Sequence, residues 1–347
     1  LDNPKKNSNF AQKYFKKMKC TYFRLAIVAI CCCFLAQFAT AANEMQIRCI
    51  AFYNLENVFD TIHDEGKNDY EYLPDGGMKW TSFKYENKLN NMAYAISQLG
   101  TDEDPRGAAC VGVSEVENIG CLYDLCRVLK DKYNRHYEPI LLEGPDRRGV
   151  DVGFLYNPAM FKPVSTKGYE LHAHYADGGV VKSRLQLWVS GYMLDDDRKI
   201  VRDKIHISVN HWPSRYGGEE SSRATRDTAA MLCKQVCDSI YLKEPRAKII
   251  VMGDLNDDPF NHSCAIVMGA KKTRDEVGEQ GFFNTMWQKL DRGIGSLAYQ
   301  GSWNLFDQIF ISEPLMNAQL EEGKWVYWKS QIFNKDFLTV QEGKDKG

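Results

Sequence analysis

Carboxylates, amides and one imidazole recur in this sequence where short apolar runs stop. Asn54-Leu55-Glu56, Glu115-Val116-Glu117, Asn210-His211, Asp254-Leu255-Asn256 and Asp307 each follow or interrupt a stretch rich in Ile, Val, Ala or Phe. A carboxylate with an amide two residues away can hold a water and take its proton. A group of carboxylates can hold a hard cation such as Mg²⁺, and an imidazole beside them can stabilise developing charge or move a proton. Each motif alone also has a plainer reading. Asp254, Asn256 and Asp257 ahead of Pro259 can build an Asx turn, and a single histidine such as His211 is commonly bonded within a core.

Glu115 and Glu117 stand two residues apart after the apolar run 108–113, so the pleat of a strand would put both on one face at one rim. An unpaired carboxylate directly after such a run is costly, and a bound cation would remove the cost. Gly144-Pro145-Asp146-Arg147-Arg148-Gly149 is a basic turn whose forked donors suit a phosphate. Arg223 and Arg226 fall on the first turns of a helix, where a loop-to-helix junction can also collect one. Both sets read equally well as solvated surface charge.

These residues need elements that bring them together. Residues 249–252, Ile-Ile-Val-Met, read as a strand buried on both faces and ended by Gly253 and the polar run to Pro259. Further strands are expected over 46–54, 108–113, 150–156, 184–194, 205–211 and 303–312. Between them, Leu89, Met92, Ala93, Ile96 and Leu99 recur at helical spacing before Gly100. Leu122, Leu125, Cys126 and Leu129 do the same, as do Ala229, Leu232, Cys233, Val236, Cys237 and Ile240. Strands interleaved with helices, without repeats or a linker, predict one α/β domain.

With 347 residues, 44% apolar and 26% charged, the chain has the composition of an ordinary globular protein. Its net charge of -2 supplies no global basic field, so an anionic ligand must be met by local charge, which argues against a DNA-coating protein. Residues 18–41 read as a secretory signal peptide: a basic start at Met18, an apolar run over 25–38 and an Ala39-Thr40-Ala41 cleavage site. Residues 1–17 read as upstream frame translated in error, and the domain is expected over 42–347. No other apolar stretch approaches the length of a membrane span, so a soluble, monomeric, periplasmic or secreted protein is expected. Of 11 cysteines, removal of Cys20, Cys31, Cys32 and Cys33 with the leader leaves seven. The expectation is core cysteines, with room for one or two disulfides in an oxidising compartment, and no zinc-type spacing is present.

In order and spacing, Tyr53-Asn54-Leu55-Glu56, Ser114-Glu115-Val116, Val209-Asn210-His211, Gly253-Asp254-Leu255-Asn256 and Phe306-Asp307-Gln308-Ile309-Phe310 resemble the endonuclease/exonuclease/phosphatase family. Together these motifs cover most of the mature chain. The resemblance implies a four-layer sandwich of two mixed β-sheets with helices outside, like deoxyribonuclease I, with the motifs meeting at one rim.

Carried over by resemblance, Glu115 is the main Mg²⁺ ligand, with Asn54 and Glu56 supporting it and Mn²⁺ as a substitute metal. Asp254 orients or deprotonates the attacking water, Asn256 is its partner, and His211 and Asn210 contact the phosphate. Asp307 orients a final catalytic histidine, and Arg148 and Arg226 are the candidates for further phosphate contacts. The implied substrate is a phosphate ester, nucleic acid foremost, with phospholipids and sugar phosphates also open and a non-catalytic binding protein as the alternative class. The Ser-Asp-His that closes the family pattern does not occur in this sequence, and the expectation drawn from that is a clipped or mis-framed reading frame.

Overall fold

The structure is a computed structural model and describes residues 46–175, 177–299, 301–318 and 324–338. The chain divides after Gln46 into two units, and the described elements lie in the second, Ile47–Gly347. The expected signal peptide and the segment before it therefore lie outside the described residues.

The first sheet is built from β1 (Ile50–Val58), β2 (Cys110–Val116), β3 (Glu138–Leu141) and β4 (Asp151–Tyr156), in the order β1-β2-β4-β3. The second has seven strands: β5 (Phe161–Tyr169), β6 (Gln186–Leu194), β7 (Ile200–His211), β8 (Lys248–Asp254), β9 (Ala270–Lys271), β10 (Phe282–Asn284) and, after an intervening hairpin, β13 (Asp307–Ser312). Their order is β5-β6-β7-β8-β13-β10-β9, and β11 (Leu297–Tyr299) pairs with β12 (Ser302–Asn304) as a separate two-stranded hairpin. Helices α1 (Ser82–Gln98) and α2 (Ile119–Tyr133) cover the first sheet, and α3 (Glu219–Tyr241) covers the second.

Three apolar layers separate these four. Leu89, Ile96, Leu122, Leu125 and Leu129 bury against Val111, Val113 and Leu155 beneath the first two helices. Phe154, Val209, Ile250, Met252 and Ile311 fill the space between the sheets, and Cys233, Val236 and Cys237 meet Ile249, Val251 and Phe310 under α3. The fold is therefore the mixed α/β domain expected from the strand and helix spacing, with the two mixed sheets that the family resemblance implied. Helix α1 ends as expected at Gly100, whose φ of +74° suits the left-handed turn there and where an added Cβ would lie 2.5 Å from that of Cys49.

The expected strands are present except that 303–312 is corrected to two: Trp303 and Asn304 belong to β12 of the hairpin, and the sheet strand begins at Asp307; β3, β5, β9, β10 and β11, which are short, exposed or polar, were not foreseen. The cysteines lie in the core as expected, and the disulfides that were open to them are not formed. Cys49, Cys110, Cys121, Cys126, Cys233, Cys237 and Cys264 are all free, six of them buried in the apolar layers where a thiol packs as a small hydrophobe.

Topology explains why the motifs converge. β1 runs parallel to β2 with α1 as the crossover, and β7 runs parallel to β8 with α3 as the crossover, so the C-terminal ends within each pair share a rim. β13 is antiparallel to β8, which puts its first residue, Asp307, directly opposite Asp254. β4 is antiparallel to β2, so the turn that precedes it, carrying Arg148, arrives at the same rim.

Candidate active site

At that rim the backbone leaves regular strand geometry. Asn54 pairs with Ser114 and the next matched pair is Val58 with Val116, so β1 carries Leu55, Glu56 and Asn57 as a bulge opposite Glu115. Glu56, Asn57 and Glu115 adopt left-handed conformations with φ of 53°, 64° and 60°, and Asn256 does the same at 51°. Non-glycine residues rarely do so, and here the turned backbone aims polar side chains across the gap between the sheets. Gly253, at φ +155°, has no alternative: an added Cβ would sit 2.1 Å from the carbonyl oxygen of Asn210 in β7.

The bulge corrects the expectation that Glu115 and Glu117 share a face. Glu115 turns toward the second sheet, with Oε1 3.8 Å from His211 Nε2. Glu117 is buried behind it, where its Oε2 accepts from the Asp60 backbone N–H at 2.7 Å and lies 3.9 Å from Cys121 Sγ.

Asp254 is the hub. Its Oδ1 accepts from the Asn256 backbone N–H at 2.9 Å, and its Oδ2 accepts from Asn54 Nδ2 at 3.0 Å, a bond that spans the two sheets. The same Oδ2 lies 3.7 Å from His211 Nε2. Asn54 is oriented for this by its own Oδ1, which accepts from the Glu56 N–H at 2.9 Å. Asn256 Nδ2 donates to the Trp212 carbonyl at 3.0 Å, so it braces Asp254 through the backbone rather than by its side chain.

Burial raises the Asp254 carboxyl above its ordinary range, and the charge of Glu115 adds to it. Burial also raises that of Asp307 strongly, with Asp254, Glu56 and Glu115 as further causes. His211 moves the other way. Burial, then the charges of Arg184 and Arg148, push its imidazole well below the usual value, so it is neutral at pH 7. With two carboxylate oxygens facing Nε2, the proton is favoured on that nitrogen, and buried Nδ1 has no hydrogen-bond partner.

The structure thus brings together Asn54, Glu56, Glu115, His211, Asp254, Asn256 and Asp307. Two expected site residues are corrected. Asn210 is fully buried and spends its amide internally, with Nδ2 on Ser208 Oγ and the Met252 carbonyl and Oδ1 accepting from Trp212 Nε1. Neighbours along a strand face opposite ways, so Asn210 cannot share a phosphate with His211. Arg226 is wholly buried, its Nε 2.7 Å from Asp257 Oδ1, and cannot reach a substrate. Arg148 does stand at the mouth, partly exposed, with Nη1 on Asn57 Oδ1 at 3.2 Å.

Three further residues act on the site without having been foreseen. Arg184, buried just before β6, donates to the Trp212 carbonyl at 3.0 Å and pairs with Asp146 at 3.3 Å. Lys88 of α1 donates to the Glu56 carbonyl at 2.8 Å and steadies the bulge. Arg215 fastens the loop after His211 to the carbonyl of Asn256 at 2.9 Å. A lone cation within or beside an apolar run is the signal that could have found Arg184; Lys88, on the polar side of a helix, offers none.

Four carboxylates, Glu56, Glu115, Asp254 and Asp307, meet beside an uncharged imidazole, with Glu115 adding to the cost of ionising Asp254 and Asp254, Glu56 and Glu115 to that of Asp307, so this donor set fits a hard divalent cation. Among the described residues, the one trio with ligand atoms all within 4.8 Å of one another is a different group, Asp60, Glu117 and Cys121. There, burial pushes the Glu117 carboxyl up to about 8, and its Oε2 is already occupied by the Asp60 backbone N–H.

A sequence model of the Endonuclease/Exonuclease/phosphatase family matches residues 49–347. The chain belongs to the endonuclease/exonuclease/phosphatase family. No curated protein sequence is significantly similar to it. Among solved structures, a family protein from Bacteroides thetaiotaomicron is similar at 15% identity and a TM-score of 0.44, over 76% of this chain and 82% of that one. A mannosyl-6-phosphatase from the same organism is similar at 14% identity and 0.45, over 76% and 84%. The catalytic domain of human Nocturnin is similar at 15% identity and 0.40, over 59% and 70%. The family is one of phosphoesterases, hydrolytic and generally dependent on a divalent metal, as the motif resemblance implied.

Proposed function

We propose that this chain is an exported, Mg²⁺-dependent phosphoesterase that cleaves phosphodiesters by in-line attack of water, with nucleic acid as its first substrate class. The observation that carries the reading is the meeting of Glu115, Asp254, Asp307, Asn54 and His211 at one rim, on bulged strand ends, with the Asn54–Asp254 bond joining the two sheets. Glu115 would hold the cation, with Asn54 and Glu56 beside it. When bound, the metal would neutralise charge on the phosphoryl and leaving oxygens.

The chain's own groups supply the rest. Asp254 has one oxygen fixed by the Asn256 N–H, and its raised pKa makes it a better proton acceptor for the attacking water than a surface carboxylate. Neutral His211 offers Nε2–H to a phosphoryl oxygen without adding net charge. Arg148, at the mouth, gives the incoming phosphate a forked donor.

A second reading, a small phosphate ester as substrate, is favoured by the net charge of -2, which offers a long polyanion no attracting field. Plasmid DNA, RNA, bis(p-nitrophenyl) phosphate and p-nitrophenyl phosphate would be incubated with the protein in Mg²⁺ and in EDTA. Hydrolysis in Mg²⁺ alone is expected, and Asp254→Ala should lower it by about 10³-fold, within the range for a general base. A fully active Asp254→Ala protein would overturn the assignment, and cleavage of the monoester alone would select the second reading.

A further inference from the structure

Arg215 lies four residues beyond His211, in the loop between β7 and α3, and none of its bonds is to a group of the proposed chemistry. Its guanidinium nevertheless joins all the loops of the second sheet that carry that chemistry. Nε donates to the Asn256 carbonyl at 2.9 Å, and Nη2 reaches Asn261 Oδ1 at 3.0 Å, Asp258 Oδ2 at 3.3 Å and Asp257 Oδ1 at 3.4 Å. Nη1 donates to Glu219 Oε2 at 2.8 Å, at the start of α3. The planar group stacks over Phe306, 4.5 Å from the ring centre, one residue before Asp307.

We propose that Arg215 is a positioning residue of the hydrolytic site, a clamp that fixes the β7, β8 and β13 loops at one mutual spacing; its kinetic consequence rests on the phosphoesterase reading above. Asn256 is held in a left-handed conformation, and its N–H is the bond that orients Asp254. The Arg215 bond to the Asn256 carbonyl is the outward restraint on that strained residue, opposite the inward bond from its side chain to Trp212. The neighbouring bonds, Leu255 N–H to the Phe306 carbonyl at 2.8 Å and Leu305 N–H to Asp258 Oδ1 at 2.7 Å, tie the same loops and share the load. Five donors in a rigid fork can meet these acceptors at once, which a lysine cannot do.

Arg215→Lys and Arg215→Met would be compared with the parent protein in two ways. The first is amide hydrogen exchange in peptides spanning 253–259 and 305–308. The second is steady-state hydrolysis of whichever ester the parent turns over in Mg²⁺. Exchange is expected to rise by about 10-fold in both peptides. The turnover number kcat is expected to fall by about 10- to 100-fold with KM changed less than about threefold, because the residue acts through others. The lysine variant should recover little. Unaltered exchange, or a rise in KM at constant kcat, would overturn the clamp, the latter making Arg215 a substrate contact. If the parent hydrolyses nothing, it is the phosphoesterase reading that fails, and the exchange measurement still decides whether Arg215 holds the loops.

Discussion

Two glutamates separated by one valine lie in opposite environments. Glu115 is half-buried at the rim, turned by a left-handed backbone toward His211 and the Asp254 carboxylate. Glu117 is buried under α2, bonded to the Asp60 N–H and next to Cys121. Both are acids at one strand end, and both have other acids nearby. The difference is solvent and partners. Glu117 is kept neutral by burial, so the negative charges of Asp60, Asp64 and Asp69 around it remain tolerable. At the rim, charge accumulates with too few donors, and a cation is what would relieve it. A count of acidic residues would rank the two regions alike; the imidazole facing two carboxylates, the amide bond between the sheets and the open mouth beside Arg148 separate them.

Exchanging charge for amide at each position would break or sharpen this contrast. Glu115→Gln should reduce hydrolysis by about 100-fold and raise the Mg²⁺ concentration for half-maximal rate by about 10-fold or more. Glu117→Gln should leave both within about twofold. Activity lost equally in the two variants, measured in parallel Mg²⁺ titrations, would mean that the buried pocket takes part in the site.

The arginines repeat the contrast at smaller scale. Arg226 and Asp257 form a buried pair, and removing one charge strands the other. Arg226→Met should therefore cost about 3–5 kcal/mol in urea unfolding. Arg148→Met, at the mouth, should cost under about 0.5 kcal/mol but raise KM by about 10-fold. The reverse pattern would return Arg226 to the substrate side.

Much of this was legible beforehand. Apolar runs ending in Asn54, Glu115, His211 and Asp254 marked the rim because parallel strands with crossover helices bring their C-terminal ends together, and Asp307, interrupting another run, joins them from the start of an antiparallel strand. The fate of Glu117 was not legible, since a pleat predicts that it shares a face with Glu115 and only the bulge separates them. Arg148 in its turn and Arg226 on its helix both read as surface cations, and their opposite burial depends on Asn57 and Asp257, about 91 and 31 residues away in the chain. The β11–β12 hairpin and the edge strands lack the apolar period that a buried strand must show.

A pH series isolates Glu117 itself. Its carboxyl is raised from 4.5 to about 8 in the folded protein, chiefly by burial. Between those values the folded state binds the proton more tightly than the unfolded chain, so stability falls as pH rises, by up to about 1.4 kcal/mol per unit from this group. Below 4.5 both states are protonated and the group contributes no slope; above about 8 both are ionised and the loss is complete. Asp151, raised to about 7 in the same way, adds a slope of its own, but it is common to parent and variant and cancels in their difference. Glutamine mimics the neutral acid, so Glu117→Gln should match the parent near pH 5 and become progressively more stable than it toward pH 8. Urea midpoints at several pH values would check this. A difference that does not grow with pH would mean that Glu117 is ionised in the fold, and the separation between the buried acid and the cation-binding rim would then rest on geometry alone.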